Sequence, residues 1–314
     1  MTLPRQDGAP SLEVPASFVA KNRGARGEAG AAWAARLPEI VAACAERWAL
    51  ALEPAYGGLS YNWAAPARRA DGTPSVLKLC FPDPEYATEA AALRLFDGRA
   101  AVRLLAVDEA LGALLLERLL PGGPLGGVAD DRAATSAAAS VMRGLWRPAP
   151  AVHPFPTIGD WLTRAAGRVA AARRAGGGEP PAWAGRVLAL HRELAHDRPP
   201  RVVLHGDLHQ WNVLAATRAP WLAIDPKGAV GEPAEEIGAW LVDRVHRAPT
   251  DAEARQRLLA MCDQLAEELG LDRARARAAA LVRAAISALW SLESGWSGSA
   301  SSNRCVALLE AAQL

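Results

Sequence analysis

Cysteine is scarce in this chain and scattered. Cys44, Cys80, Cys262 and Cys305 form no CxxC pair, so neither a disulfide framework nor a zinc knuckle is expected, and the chain reads as a reduced, cytoplasmic protein. Long apolar runs are missing: none reaches the ~18 residues that a membrane-spanning helix requires. The N-terminal stretch holds Pro4, Asp7, Pro10, Glu13 and Pro15 without an apolar core, so no signal peptide is expected. An excess of either charge is missing too, with 35 Lys and Arg against 34 Asp and Glu and a net charge of +1. A nucleic-acid or membrane-surface binder needs a concentrated positive field, usually a basic stripe with interleaved aromatics. Neither kind of partner is expected. Lysine is the rarest charged residue: Lys21, Lys78 and Lys227 stand against 32 arginines. Where arginine is the default cation, a lysine marks a position whose shape and hydration differ.

What is present is ample material for a core. The 314 residues suggest about two folding units. With 51% hydrophobic and 22% charged residues, the chain is globular and not disordered. Residues 1–28 are rich in Pro, Gly and charge and read as a loose arm. Ala31–Leu50 has helical periodicity, with Trp33, Leu37, Ile40, Val41 and Cys44 on one face. A strand-rich stretch follows: Tyr61–Arg69, an Asp71-Gly72 hairpin turn, Val76–Cys80, a helix over Glu85–Phe96, then strands over Ala101–Val107 and Ala113–Glu117. Leu119–Gly127 (LLPGGPLGG) is the clearest linker. Beyond it the pattern is helical over Asp131–Leu145, Ile158–Arg174, Trp183–His196, Pro233–His246, Ala252–Leu269, Arg273–Trp290 and Asn303–Leu314. Two β-like pieces, Arg201–Leu204 and Trp221–Ile224, suggest a short hairpin among these helices. The expected fold is α+β and bilobal: a small sheet-rich lobe with a leading helix over residues 29–120 and a larger helical lobe over 121–314.

The strongest chemical signal is LHGDLHQWNVL, Leu204 to Leu214, followed by Ile224-Asp225-Pro226-Lys227-Gly228. Asp207, Asn212 and Asp225 bring three oxygen-bearing side chains to the ends of β-like pieces. Metal-assisted phosphoryl transfer needs that set: one carboxylate to take a hydroxyl proton, and an amide and a second carboxylate to hold Mg²⁺ against nucleotide phosphates. The H-x-D-x-x-x-x-N spacing followed by a strand-end Asp is the catalytic-loop and metal-Asp pattern of protein-kinase-like folds. Zinc at His205 and His209 is disfavoured, because no HExxH and no third ligand lies nearby.

HGDLHQWN with IDPKG resembles the aminoglycoside phosphotransferase superfamily. The longer strings LHGDLHQWNVLAA, WLAIDPKGAVGEPAEEIG and SALWSLESG are similar to its streptomycin 6-phosphotransferase and hydroxyurea-resistance kinase branch, over about Leu50 to Gly295. Glu232 and Glu236 stand where that branch usually has Asp. The resemblance implies a protein-kinase-like fold and ATP with Mg²⁺. It makes Asp207 the catalytic base and Asn212 and Asp225 the Mg²⁺ ligands. Lys78 would hold the α- and β-phosphates with Glu89 as its partner, and the Glu117 carbonyl and Leu119 amide would meet adenine. The residues agree in part: Lys78 lies in an apolar strand, where an unpaired cation is costly. Glu89 shares a helix face with Leu93 and Phe96, or else lies on the surface. Gly57, Gly58 and Ser60 either cover phosphates or form an ordinary hairpin turn.

The resemblance further implies a monomeric, ATP-dependent kinase for a hydroxyl of an aminoglycoside, the 6-hydroxyl of streptomycin first. Hydroxyurea or another small metabolite is the alternative acceptor, and a non-catalytic nucleotide-binding module the remote one. A substrate with guanidinium groups calls for carboxylates and aromatic faces. Glu293, Trp290, Glu235 and Glu236 are the candidates, with Asp160 and Trp161 behind them, although Glu236 could instead brace the catalytic loop. Arg273, Arg275 and Arg277 read as a solvated helix face.

Overall fold

The computed structural model describes residues 14–176, 178–197, 200–242, 244, 248–294 and 299–311. The chain divides into two compact units. The first comprises residues up to Tyr86 together with Arg103–Arg118, and the second Ala87–Val102 together with Leu119–Leu314.

The first unit opens with helix α1 (Ala16–Ala35) and helix α2 (Leu37–Arg47). The loose arm expected over residues 1–28 is corrected only in its described part: residues 1–13 lie outside it, and from Ala16 the chain is helical with a break at Gly27. Burial overrides the weak local signal, because Phe18 and Trp33 enter the core and their rings sit 6.1 Å apart. The single helix expected over Ala31–Leu50 is split at Arg36, since Pro38 in the first turn of α2 has no N–H to continue the earlier ladder. Strands β1 (Leu50–Leu52), β2 (Trp63–Arg69) and β3 (Pro74–Leu79) follow, and helix α3 (Pro84–Phe96) runs from the first unit into the second. Strands β4 (Leu104–Asp108) and β5 (Ala113–Glu117) complete an antiparallel sheet of order β1-β2-β3-β5-β4. Trp63, Leu77 and Leu79 of the sheet pack with Leu37, Ile40, Val41 and Cys44 of α2 into one core. That burial is the main force holding helix to sheet.

In the second unit the expected linker is instead ordered. Strand β6 (Pro121–Pro124) pairs with a later strand, and a 3₁₀ turn covers Leu125–Gly127. Two prolines fit there because β6 is an edge strand of its sheet. Helix α4 (Asp131–Leu145), strand β7 (Arg147–Pro148), helices α5 (Ile158–Ala175) and α6 (Ala184–His196), and strands β8 (Val202–Leu204), β9 (Val213–Ala216), β10 (Trp221–Ala223) and β11 (Ala229–Gly231) follow. The two β-like pieces seen in the sequence do not pair with each other. β8 lies between β11 and β7 in one sheet, and β10 pairs with β9 in another. A 3₁₀ turn over Pro233–Glu236 leads into helix α7 (Ile237–Val242), and helices α8 (Asp251–Leu269), α9 (Arg273–Ser294) and α10 (Ser299–Glu310) complete the unit. The helices expected to run to His246 and Leu314 meet turns at Arg244 and Ala311, and positions 243, 245, 246 and 312–314 lie outside the described residues.

Helix α9 touches α5, α6, α7, α8 and α10. Ala276, Ala279, Ala280, Ala284, Ala285 and Ala288 are buried along it and let these neighbours come close. Where α7 meets it, a Cβ on Gly238 would lie 2.4 Å from the Ala280 carbonyl oxygen. The arginine run at its start is not a solvated face throughout. Arg275 bonds Glu232, Asp197 and the Leu194 carbonyl, and Arg277 bonds Asp263 through two nitrogens. Arg273 stays largely exposed.

Candidate active site

The two small sheets explain why the motif residues converge. The chain leaves β8 at His205, enters β9 after Asn212, leaves β10 at Ile224 and enters β11 after Gly228. The pairings Leu204 with Ala229 and Val213 with Ala223 bring these four ends into two adjacent pairs. Backbone hydrogen bonds then join them: Ile224 N donates to Asn212 O at 2.9 Å, and Gly228 N to His205 O at 3.1 Å. The loop from His205 to Asn212 is thereby closed against the turn carrying Asp225.

His205 is fully buried and ties the two pieces together. Its Nε2 lies 2.8 Å from Ile224 O, and its Nδ1 accepts from Asp207 N at 3.2 Å. Accepting at Nδ1 places the proton on Nε2, which donates to the carbonyl. Burial pushes the ring down to about 4, so the imidazole is neutral and structural. Among the described residues no group of three or more His, Cys, Asp or Glu could hold a metal ion.

Asp207 sits at the turn, its carboxylate 27% exposed. Burial acts to raise its pKa, but the neighbouring His209, Lys227 and Arg283 outweigh that and hold it below the ordinary aspartate range. At neutral pH it is a carboxylate, a hydrogen-bond acceptor only. Gly206 before it has φ +80°, and a Cβ there would lie 2.7 Å from the Trp161 ring. Only glycine meets both conditions without strain. Asn212 is buried and donates its amide N–H to Asp207 O at 3.0 Å, which leaves the amide oxygen as the acceptor group. Asp225 is half-buried with a left-handed backbone, φ 57°. A strained conformation of this kind at a non-glycine residue persists only where the surroundings fix it.

Two charged residues complete the loop's setting. Glu236 is fully buried and accepts from His205 N at 2.7 Å and Gly206 N at 3.0 Å. Both carboxylate oxygens thus hold the backbone of this loop, which favours the second of the two readings given to Glu236. Glu235 is buried as well, accepting from Glu232 N at 2.9 Å with His191 Nδ1 3.4 Å from its other oxygen, so its carboxylate also serves the fold. The sequence reading missed Arg283. It is fully buried on α9 and donates to Gly206 O and to Asp207 Oδ1. The signal was available: Arg283 is the one charge between Ala278 and Trp290.

Trp290 is half-buried, in a T-shaped pair with Trp161 at 5.3 Å. Lys227 Nζ lies 5.5 Å and the Arg283 guanidinium 5.2 Å from its ring centre. A ring already serving two cations is a poor platform for a third. Glu293 is exposed and bonds Arg168 at 2.5 Å. Asp160 forms a capping box with Thr157 at the start of α5, accepting from Thr157 N at 2.8 Å while Thr157 Oγ1 accepts from Asp160 N at 3.0 Å.

In the first unit Lys78 is buried in β3, opposite Ala64 of β2 and Leu114 of β5. Gly57 and Gly58 form an exposed turn between β1 and β2, with Ser60 exposed just after it. Glu117 ends β5, its carboxylate accepting from Arg103 N at 3.1 Å. In the second unit Glu89 is buried on α3, which removes the surface alternative, and Leu119 is buried where the chain enters that unit.

Among solved structures the chain is similar to the choline kinase LicA from Streptococcus pneumoniae, with a TM-score of 0.61 and 12% identity over 87% of this chain and 99% of that one. It is also similar to the aminoglycoside phosphotransferase APH(4)-Ia in a ternary complex with ADP and hygromycin B, with a TM-score of 0.59 and 18% identity over 86% of this chain and 97% of that one. At such identities the likeness establishes the fold, a protein-kinase-like one. Fold and loop motif together define the class, a kinase-like phosphotransferase for small molecules. The chain belongs to the aminoglycoside/hydroxyurea antibiotic resistance kinase family, whose profile matches residues 50–295. It is 36% identical over 309 residues to a streptomycin 6-kinase of Streptomyces griseus, covering 94% of this chain and 96% of that one. It is 39% identical over 289 residues to a hydroxyurea phosphotransferase of Kitasatospora aureofaciens, covering 90% of this chain and 82% of that one.

Proposed function

We propose that the protein transfers the γ-phosphoryl group of ATP to the 6-hydroxyl of streptomycin and so confers resistance to the drug. The observation that carries this reading is Asp207, an ionised carboxylate kept partly open to solvent on a loop fixed from several sides. Asp207 takes the hydrogen bond of the acceptor hydroxyl, orients it toward the phosphorus and receives its proton. A depressed pKa suits that role in a loose transition state, where positioning and charge stabilisation dominate over proton abstraction. Asn212 and Asp225 offer the oxygen donors that Mg²⁺ prefers, and one or two protein ligands beside nucleotide phosphates are its usual complement. A bound Mg²⁺ neutralises charge on the phosphates. Lys78, with Glu89 as its partner, binds the α- and β-phosphates; Gly57, Gly58 and Ser60 cover them; the Glu117 carbonyl and Leu119 amide meet the adenine edge. Glu293, exposed near the end of α9, remains the acidic candidate for a cationic substrate. Hydroxyurea is the second acceptor to consider, on the strength of the hydroxyurea phosphotransferase at 39% identity.

The test is Mg²⁺-dependent ADP release by the purified protein with streptomycin and hydroxyurea as separate acceptors, beside Asp207→Ala. Turnover with streptomycin is expected, with phosphorus NMR of the product placing the phosphate on the 6-hydroxyl. Asp207→Ala should lower kcat by roughly 10²-fold or more. Near-normal turnover in that variant would sink the base assignment. Turnover with hydroxyurea alone would move the acceptor and keep the mechanism. ATP binding without turnover on either compound would return the non-catalytic module.

A further inference from the structure

Arg283 makes more contacts with the catalytic loop than the packing of α9 demands. Its side chain is fully buried. Its Nε and Nη2 both donate to Gly206 O, at 3.1 and 2.5 Å, and Nη2 also lies 3.3 Å from Asp207 Oδ1. Its Nη1 donates to Ser287 Oγ at 2.6 Å, and the Trp290 ring covers the guanidinium at 5.2 Å. An apolar side chain of similar volume would fill this place among the alanines of α9 without burying a charge. What it would lack is a rigid fork of donors aimed at one carbonyl and the next residue's carboxylate.

The loop is held at its other polar groups by Glu236, which accepts from His205 N and Gly206 N. The turn therefore has its N–H groups on a buried carboxylate and its carbonyl on a buried guanidinium. His209 also bears on Asp207, but its Nε2 is 4.0 Å from the nearer oxygen, outside hydrogen-bond range. Of these two, Arg283 is the one within hydrogen-bond distance of the Asp207 carboxylate. We propose that Arg283 is a positioning residue that locks the Gly206 carbonyl and the Asp207 carboxylate together, so that Asp207 presents one fixed oxygen to the acceptor hydroxyl. This rests on the reading of Asp207 as the proton acceptor.

A residue that works through Asp207 has nothing left to do once Asp207 is disabled. The experiment is a kinetic cycle of Arg283→Met, Asp207→Asn and the double variant, with Arg283→Lys alongside. Arg283→Met is expected to lower kcat roughly 10- to 100-fold, with KM for ATP and for the acceptor changed less than about 3-fold. Lysine keeps the charge but not the fork, so Arg283→Lys should recover only part of the loss. The double variant should be no slower than Asp207→Asn alone. Wild-type kcat in Arg283→Met, or losses that multiply in the double variant, would overturn the proposal. Full turnover in Asp207→Asn would strike the base reading itself, a separable result. If Arg283→Met fails to fold by circular dichroism and thermal melting, Arg283→Lys carries the test: lower kcat at unchanged KM and melting supports the lock, and unchanged kcat overturns it.

Discussion

Glu236 shows how one buried residue can link the catalytic loop to pH. Its carboxylate has no solvent exposure, and burial pushes its pKa up to about 7 despite the N–H groups of Gly206 and His205 and the charge of Arg283. In the unfolded chain the same group ionises near 4.5. Between these two values the folded protein retains a proton that the unfolded chain has released. The unfolding free energy therefore falls as pH rises across that window. The contribution is up to roughly 3 kcal/mol, at about 1.4 kcal/mol per pH unit. Glu236→Gln removes the titration. The expected outcome is that the wild-type-minus-variant difference in stability, from urea melts at pH 4.5 and pH 7.5, shrinks toward the higher pH. A difference independent of pH would show that Glu236 is ionised throughout. Arg283 belongs to the same level of reading: a lone cation in an apolar helical stretch was visible in the sequence. Its partner was not, because 76 positions separate it from Asp207.

Asp160 and Thr157 place a prediction at the level of the helix. They cap α5 reciprocally, each side chain taking a backbone N–H of the other. Two donors that would otherwise lack a partner at the helix start are satisfied. Asp160→Ala should cost about 1 kcal/mol of stability, read as a lower urea midpoint, and leave acceptor KM unchanged. A several-fold rise in KM without loss of stability would restore Asp160 to the substrate site. The capping pattern, Thr157 three residues before Asp160, is a sequence signal in its own right. Elsewhere, legibility followed element length. Helices of three turns or more with a clear apolar face, such as α4, α5 and α8, carry enough periodic positions to be read, whereas α1, 20 residues long but rich in Gly and charge, does not. Strands β6, β7, β9 and β11 have two to four residues each, too few for any alternation, and β6 further hides behind two prolines. Their pairing is decided by what β8 and β10 leave unbonded. The HGDLHQWN loop was legible because its chemistry dictates residue types at fixed spacing. The two sheets that hold it open were not, since pairing of β8 with β11 instead of β10 depends on contacts between residues about 25 apart in sequence.

Considered as a whole, the chain carries its own reporters of how each of its two units unfolds. Cys44 and Cys80 belong to the first unit, Cys262 and Cys305 to the second, and all four are buried thiols outside any disulfide. Burial pushes the thiols of Cys262 and Cys305 up to about 12 and that of Cys44 up to about 11. The thiolate is the reactive form, so both access and ionisation suppress reaction in the folded protein. A disulfide-exchange reagent at pH 8 is expected to find no reactive thiol per native chain and four in denaturant. At intermediate denaturant, peptide mapping should find Cys44 labelled together with Cys80, and Cys262 together with Cys305, because each pair is shielded by one unit's fold. A difference in midpoint between the pairs would give each unit its own stability; coincident midpoints would mean that the chain unfolds as one. One thiol reacting rapidly in the native state while its pair-mate stays protected would contradict the burial described for that segment, and would identify the element that opens locally.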